Sequence, residues 1–228
     1  MASKWISLLT VFGFTVACTA QIDDEKMKQW VMDNPEVIME SVMAYQRTEQ
    51  ERNQPQPAMV SQFRKELFES GGSPMAGNPK GKVEVAYFFD FNCGHCARQS
   101  DTINAVLAAN NDVKVVYKNF PVLGPSSELA ARAALAAHQQ NKFKEFYSEV
   151  YKTRERSVEA FKGIASRLGL DVDQWEKDLE SEKVQQELEA TRNLAQKMKI
   201  GGTPFLAIAP DKVFPGRVDE LKAVIESL

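Results

Sequence analysis

The chain has 228 residues, of which 43% are hydrophobic and 26% are charged, as in a soluble globular protein with one sizeable domain and an appendage. Its formal net charge is -3 and its pI is about 5.6, so no basic excess points to a nucleic-acid partner. Its three cysteines are too few for a framework of structural disulfides.

Residues 1–20 (MASKWISLLTVFGFTVACTA) have the layout of a secretory signal peptide. Lys4 supplies an early positive charge, and the apolar run that follows it is short for a membrane span. Two processing routes stay open: cleavage after Ala20, or lipoprotein processing that lipidates Cys18, because VAC resembles the end of a lipobox. Either route exports the protein to an oxidising compartment.

Residues 21–74 predict a helical segment. Asn34-Pro35-Glu36 is typical of a helix start, with asparagine as the cap and proline in the first turn. Apolar residues then recur at helical spacing in two stretches, Ile38–Tyr45 and Val60–Leu67, on either side of a polar break. Two such short helices cannot bury their apolar faces alone, so they pack either on the rest of the chain or, as we expect, on copies of themselves.

The stretch FFDFNCGHCARQ places Cys93 and Cys96 two residues apart, directly after a run of aromatic residues. Residues 82–91 predict a buried strand, residues 97–109 a helix, and residues 112–119 a second strand. The two strands should be parallel and joined by a right-handed crossover. The two cysteines therefore lie at the start of a helix.

Redox exchange is the chemistry that suits this cysteine pair. A structural zinc site needs about four Cys or His ligands, but the sequence has no second CxxC and its only histidines are His95 and His138. A disulfide across so short a loop stabilises little, and Cu(I) binding remains a smaller alternative. The helix start and a protonated His95 favour the thiolate of Cys93, which we expect to be the exposed attacking sulfur, with Cys96 as the buried resolving one.

The stretch KIGGTPFLAIAP, beginning at Lys199, predicts the end of a helix and the start of a strand. Residues 205–209 read as the strand, and residues 212–214 as its hairpin partner. Judged alone, the Thr203-Pro204 peptide bond should be trans.

These motifs together resemble the DsbA family of thioredoxin-fold proteins. The resemblance rests on the aromatic strand with CGHC, on VYKNFPVLG, on SSELAARAALAA and on GGTPF, and it covers about residues 77–228. It implies an α/β thioredoxin fold in residues 75–228, with a helical insertion at about 125–198, preceded by an α-helical N-terminal extension. It also implies that Thr203 and Pro204 form a cis-proline loop that binds an extended substrate.

The inserted region shows helical patterns of its own. Apolar residues recur at helical spacing through most of residues 129–198, and Ser127, Asp171 and Ser181 are candidate N-caps. Its aromatic residues are expected to form a packed core.

One position departs from the family pattern. Relatives often carry a buried glutamate six residues before the first cysteine, where this chain has Tyr87. Lys118 on the next strand and Asp90 are the ionisable residues that could manage the proton of Cys96.

The stretch DNPEVIMESV resembles the N-terminal segments of ScsC-like relatives. Those relatives form dimers or trimers and act as disulfide isomerases, as proteins of the DsbC type do. Thr203 before the proline also resembles the DsbC type. The resemblance therefore implies a periplasmic homo-oligomer, assembled through residues 21–74, that isomerises or reduces incorrect disulfides in exported proteins. It implies a membrane redox partner of the DsbD or DsbB type and no cofactor or metal.

Two other functions stay open. The protein could be a DsbA-like oxidase that introduces disulfides into exported proteins, because the direction of exchange depends on a reduction potential that a sequence does not display. It could also be a non-enzymatic surface lipoprotein, in which case replacing Cys93 would leave its function intact.

Overall fold

The computed structural model describes residues 23–52, 54–216 and 220–226. The chain divides after Arg52 into two units. The first consists of helices α1 (Asp24–Asp33) and α2 (Pro35–Arg52). Asp23 caps the start of α1, and the side-chain amide of Asn34 donates to the carbonyl of Trp30 at its end. The sequence predicted α2 but not α1.

Both helices of this unit expose large apolar side chains. No residue of α1 is buried. The exposed apolar residues are Met27, Trp30, Met32, Val37, Ile38, Met39, Val42, Met43 and Tyr45. A helix with so much exposed apolar surface is unusual in a soluble monomer.

The second unit is built on a five-stranded sheet with strand order β1-β3-β2-β4-β5. Its strands are β1 (Met75–Gly77), β2 (Val83–Phe89), β3 (Val113–Asn119), β4 (Phe205–Ile208) and β5 (Lys212–Pro215). Strands β2 and β3 are parallel and are joined by helix α5 (Gly94–Ala109), while the other neighbours are antiparallel. The strand–helix–strand unit expected around CGHC is thus present, and all of β2 is buried, as its apolar sequence predicts.

Five helices follow β3 before the chain returns to the sheet. They are α6 (Pro125–Gln139), α7 (Phe143–Lys152), α8 (Val158–Arg167), α9 (Val172–Leu179) and α10 (Glu182–Lys197). Helix α11 (Glu220–Glu226) comes after β5. Among the helices described, none combines the length and the apolar character that a membrane crossing requires.

Alternate residues of β2 face two separate cores, because successive side chains of a strand point to opposite faces of its sheet. Val85, Tyr87 and Phe89 belong to the larger core, which also contains residues of α5 to α9. Ala86 and Phe88 belong to the smaller core on the other face. The larger core lies under the cysteines.

The smaller core includes two short helices, α3 (Ala58–Gln62) and α4 (Arg64–Phe68), that precede the sheet. Their residues Val60, Leu67 and Phe68 are buried in it. The second half of the segment predicted at 21–74 therefore packs on the sheet, and the unit that contains the cysteines begins at Asn53 rather than at 75.

The expected N-caps of the inserted helices are only partly right. Asp171 and Ser181 cap α9 and α10 as predicted, each accepting a hydrogen bond from a backbone N–H in the first turn. Ser127 does not cap α6, because that helix already starts at Pro125 with Gly124 as its N-cap. Gly124 has φ of 102°, a backbone conformation that glycine adopts without strain, so the helix begins earlier than a cap at Ser127 would place it.

Candidate active site

Cys93 and Cys96 lie at the start of α5. Cys93 is the N-cap residue, and its Sγ accepts a hydrogen bond from the backbone N–H of Cys96 at 3.3 Å. Unpaired N–H groups and the helix dipole stabilise negative charge at this end of a helix. Cys93 is 8% exposed and Cys96 is fully buried, and both are free thiols. Cys93 is therefore the sulfur of the pair that a partner reaches first.

Thr203 and Pro204 lie beside Cys93. Their peptide bond is cis, and the thiol of Cys93 donates to the carbonyl oxygen of Thr203 at 3.4 Å. The prediction of a trans bond, made from the peptide alone, is wrong. The family resemblance, which implied a cis bond, gave the right geometry. Strand β4 starts directly after this bond and pairs with β2, which ends shortly before Cys93. The sheet thus brings the two loops together.

The buried side of Cys96 is aromatic. The hydroxyl of Tyr87 donates to the backbone oxygen of Cys96 at 3.1 Å, and its ring stacks on Phe89 with 5.2 Å between centroids. Tyr147 and Tyr151 of α7 continue the cluster, with 5.0 Å between their centroids. The position where relatives often have a glutamate therefore holds a neutral phenol that contacts Cys96.

This setting keeps the buried thiol protonated. Burial, and then the hydrogen bond with Cys93, raises the pKa of Cys96 from 9.0 to about 12. Hydrogen bonds with the backbone of Asp90 and the side chain of Thr203 lower the pKa of Cys96, but by less than burial and Cys93 raise it. Burial also raises the pKa of Tyr87 well above its usual value of 10.0, so both groups are neutral at physiological pH.

The carboxylate of Asp90 organises the loops around the cysteines. It is buried and accepts backbone N–H bonds from Asn92 at 2.7 Å, Val122 at 2.8 Å and Leu123 at 3.0 Å. Its backbone oxygen accepts the N–H of Cys93 at 3.1 Å. Val122 and Leu123 are exposed apolar residues, so Asp90 holds an apolar surface loop against the segment that carries Cys93.

Arg156 is a site residue that sequence reasoning missed. Its guanidinium donates to the carbonyl of Phe91 at 3.3 Å and to the side-chain oxygen of Asn92 at 3.1 Å, and the amide of Asn92 donates to Ser126 at 2.8 Å. Arg156 follows α7, more than sixty residues after its partners. No local spacing in the sequence links residues so far apart.

His95 is exposed between the two cysteines. Its Nδ1 lies 2.9 Å from a guanidinium nitrogen of Arg98, one turn further along α5. Two side chains that can carry positive charge thus lie at the solvent side of the CGHC motif. The guanidinium of Arg98 donates to His95 Nδ1 and can stabilise a thiolate at the surface by Coulomb attraction.

Lys118 does not contact the cysteines. It pairs with Phe88 in the sheet and so lies on the face opposite Tyr87 and Cys96. Its Nζ donates to the backbone oxygen of Glu66 at 2.6 Å and to the hydroxyls of Ser70 and Ser73, each at 2.7 Å. It therefore ties the segment before the sheet to β3 and does not manage the proton of Cys96.

The fold and the site agree with a match to a known family. The family model described as the DSBA-like thioredoxin domain matches residues 84–226, more than half of the chain. The chain belongs to this family. The matched range of this DsbA-family protein contains β2 from its second residue, β3 to β5, both cysteines and the Thr203-Pro204 loop.

Individual relatives lead to the same assignment. A Bacillus anthracis protein named "Probable disulfide bond formation protein D" is 28% identical, over 71% of this chain and 80% of the relative. A thioredoxin-like oxidoreductase from Silicibacter pomeroyi is 34% identical with a TM-score of 0.67, over 72% of this chain and 96% of that structure. ScsC of Proteus mirabilis shares the fold, with 21% identity and a TM-score of 0.67 over 90% of this chain and 92% of ScsC.

The predicted fold class is confirmed: a DsbA-like thioredoxin fold with an α-helical N-terminal extension. As a DsbA-family member, the protein is a thiol–disulfide oxidoreductase. Its substrates are accordingly proteins that carry cysteines.

Proposed function

We propose that this protein isomerises or reduces incorrect disulfides in exported proteins through the Cys93–Cys96 pair. The observation that carries the proposal is the placement of the Cys93 sulfur at the start of α5, beside the carbonyl of Thr203 and more exposed than Cys96. Cys93 is thus the attacking sulfur, and Cys96 is the resolving one. His95, exposed beside them, favours the thiolate when it is protonated.

The exchange proceeds through a mixed disulfide. The thiolate of Cys93 attacks one sulfur of a client disulfide, which breaks the client bond and releases the other sulfur as a thiolate. In the isomerase route, another client thiolate attacks the client sulfur bound to Cys93, which forms a new client disulfide and frees Cys93. In the reductase route, Cys96 attacks Cys93, so the pair becomes oxidised and the client leaves reduced.

The Thr203-Pro204 loop is proposed to bind the client. Proline has no backbone N–H, so the loop offers a client the neighbouring backbone groups of Thr203. An extended client segment can pair with them as an added strand, which would present its cysteine sulfur to Cys93. The exposed Val122 and Leu123 lie on the loop that Asp90 holds nearby.

The proposed site of action is the periplasm. Residues 1–20, which lie outside the described residues, read as an export signal, with Cys18 as the alternative point of lipidation. A reductase or isomerase needs Cys93 kept reduced, so the proposed membrane partner is of the DsbD type. An oxidase would instead need a partner of the DsbB type.

The N-terminal helices are proposed to form a homo-oligomer, a dimer or a trimer. Nine large apolar side chains of α1 and α2 are exposed, which favours association with copies of the same segment. An oligomer would place several CGHC sites around one client. The effective concentration of active sites for a misfolded client would then rise without any new contact.

The deciding experiment is the reactivation of a scrambled multi-disulfide ribonuclease by the mature protein in a glutathione buffer, with Cys93→Ser as the blank. We expect recovery that depends on Cys93. Rapid oxidation of a reduced client without reactivation would instead show a disulfide oxidase. If Cys93→Ser changes neither activity, the non-enzymatic alternative would be supported.

A further inference from the structure

The resolving step requires that Cys96 lose its proton. The thiolate is the nucleophile in disulfide exchange, so a base that can accept this proton speeds the step. The titratable groups around Cys96 are Cys93 and His95 on α5, Tyr87 and Asp90 on or after β2, and two tyrosines of α7. In the mixed disulfide the sulfur of Cys93 is bonded to the client, so it is not a base, and each of the other groups can be tested as a proton acceptor from its contacts.

The tyrosines cannot serve as bases. Tyr87 and Tyr151 are buried phenols whose protons are engaged by backbone carbonyls, of Cys96 at 3.1 Å and of Asp90 at 3.3 Å. Burial raises the pKa of Tyr87, Tyr147 and Tyr151 above the usual value of a phenol, so no phenolate is present at neutral pH. None of these phenols is therefore a base for the thiol of Cys96 at neutral pH.

Three polar side chains nearby, those of Asp90, His95 and Arg156, are engaged elsewhere. Both carboxylate oxygens of Asp90 accept backbone N–H bonds, one from Asn92 and the other from the loop at Val122 and Leu123. His95 is exposed and pairs with Arg98. Arg156, which donates to the carbonyl of Phe91, is a cation and cannot accept a proton.

Building on the proposed function, we propose that the aromatic setting of Cys96, with Tyr87 bound to its carbonyl, delays resolution and so prolongs the mixed disulfide on Cys93. A long-lived mixed disulfide gives a second client thiol time to attack the client sulfur and complete the rearrangement. Client exchange then leaves Cys93 and Cys96 reduced, whereas resolution would oxidise the pair and release a reduced client. Tyr87 thus acts through Cys96 and favours isomerisation over reduction.

The size of the delay follows from the thiol's chemistry. A shift of the Cys96 pKa from 9.0 to about 12 lowers the thiolate fraction at neutral pH by about a thousandfold. The more basic thiolate is also more nucleophilic, with a Brønsted coefficient of about 0.4 to 0.5, which recovers part of that loss. The net slowing is about thirtyfold to sixtyfold. In the mixed disulfide the Cys93 sulfur is bonded to the client, so its hydrogen bond no longer raises the pKa of Cys96. Burial, the larger cause, remains, and this slowing is therefore an upper bound.

The test measures resolution in the full-length mature protein, with oxidised glutathione as the probe. Reduced protein is mixed with the probe, quenched with acid, and analysed by mass spectrometry for the glutathione adduct and for its conversion to the Cys93–Cys96 disulfide. We expect the resolution rate to rise by about tenfold per pH unit from pH 6 to pH 10 without a plateau. A plateau below pH 9 would overturn the inference.

A pair of variants tests the role of Tyr87 directly. Tyr87→Glu supplies a carboxylate beside Cys96, while Tyr87→Gln supplies a side chain of the same size that cannot ionise. We expect resolution at pH 7 to be at least about tenfold faster in Tyr87→Glu than in Tyr87→Gln, with ribonuclease reactivation lowered in the faster variant. Equal resolution rates in two folded variants would contradict the inference, and if either fails to fold, the wild-type pH profile decides.

The same experiment separates this inference from the proposed function. If oxidised glutathione produces neither an adduct nor a Cys93–Cys96 disulfide in the wild-type protein, the proposed function itself fails. If the adduct forms and then resolves rapidly with a plateau below pH 9, the redox function stands and only the delay is wrong.

Discussion

The thiol of Cys93 donates to the carbonyl oxygen of Thr203 at 3.4 Å, although the two residues are 110 positions apart in the sequence. The contact joins the helix start that carries the reactive sulfur to the loop proposed to bind the client. Because the acceptor is a backbone atom, a change of the Thr203 side chain leaves this bond in place. The hydroxyl of Thr203 acts instead on Cys96, whose pKa it lowers.

Thr203→Val should therefore slow resolution without slowing the first attack. Valine has the shape of threonine but lacks the hydroxyl that favours the thiolate of Cys96. Loss of one hydrogen bond of about 0.5 to 1.5 kcal/mol corresponds to a slowing of about twofold to thirteenfold. Stopped-flow kinetics with oxidised glutathione separate the two steps, and Thr203→Ser, which keeps a hydroxyl, should resolve faster than Thr203→Val. An equal slowing of both steps would show that the variant only disturbs the loop.

Asp90→Ala should destabilise the fold. The substitution leaves three backbone N–H groups without their acceptor, those of Asn92, Val122 and Leu123. Since hydrogen bonds to a charged group contribute about 1.5 to 3 kcal/mol each and are not additive, we expect a loss of about 3 kcal/mol or more in the free energy of unfolding. Urea denaturation measures it. The matched control is Asp101→Asn, an exposed site on α5, where the change should stay within about 0.5 kcal/mol.

Lys118 should make stability depend on pH in the alkaline range. Burial lowers its pKa from 10.5 to about 8 in the folded protein. Between these values the unfolded chain binds more protons than the folded one, so the free energy of unfolding rises with pH. From pH 8 to pH 10 the rise amounts to about 2 kcal/mol. Lys118→Met should lack this rise.

The measurement is the difference in unfolding free energy between wild type and Lys118→Met at pH 8 and at pH 10. The buried tyrosines titrate in both proteins, so the subtraction removes their contribution. Lys144→Met, which removes an exposed lysine, serves as the control and should retain the wild-type pH dependence. A difference that stays constant with pH would contradict the burial argument for Lys118.

The sequence predicted those features that depend on local pattern. Strand β2, the CGHC helix start and the N-caps Asp171 and Ser181 all follow from spacing and residue type within a few positions. The cis bond before Pro204 came from resemblance, because the intrinsic preference of the peptide favours trans.

The missed features depend on contacts between distant residues. An amphipathic pattern such as Val60–Leu67 shows that a helix has an apolar face but does not name the surface that covers it. The exclusion of Lys118 from the site could have been inferred from strand alternation, since it is one residue after Tyr117, which lies under the cysteines. The contact of Arg156 with Phe91 had no such signal.

Removing residues 21–52 should separate oligomerisation from thiol chemistry. The cut falls where the chain divides into its two units, so the remaining unit should fold. We expect a monomer that still oxidises a dithiol but no longer reactivates scrambled ribonuclease, as light scattering and the two activity assays would measure. A longer deletion to residue 74 would remove the buried Leu67 and Phe68 and should destabilise the protein.

A double substitution in the full-length chain shows whether activity is lost because the copies no longer associate or because the segment itself is missing. Ile38→Asp with Val42→Asp places two charges one helical turn apart among the exposed apolar residues of α2. If this surface joins copies of the chain, burying these charges is costly, and the full-length variant should be a monomer. Ser41→Asp, at an exposed polar position of the same helix, is the control and should remain oligomeric. An oligomer that persists after removal of residues 21–52 would assign assembly to the unit that carries the cysteines instead.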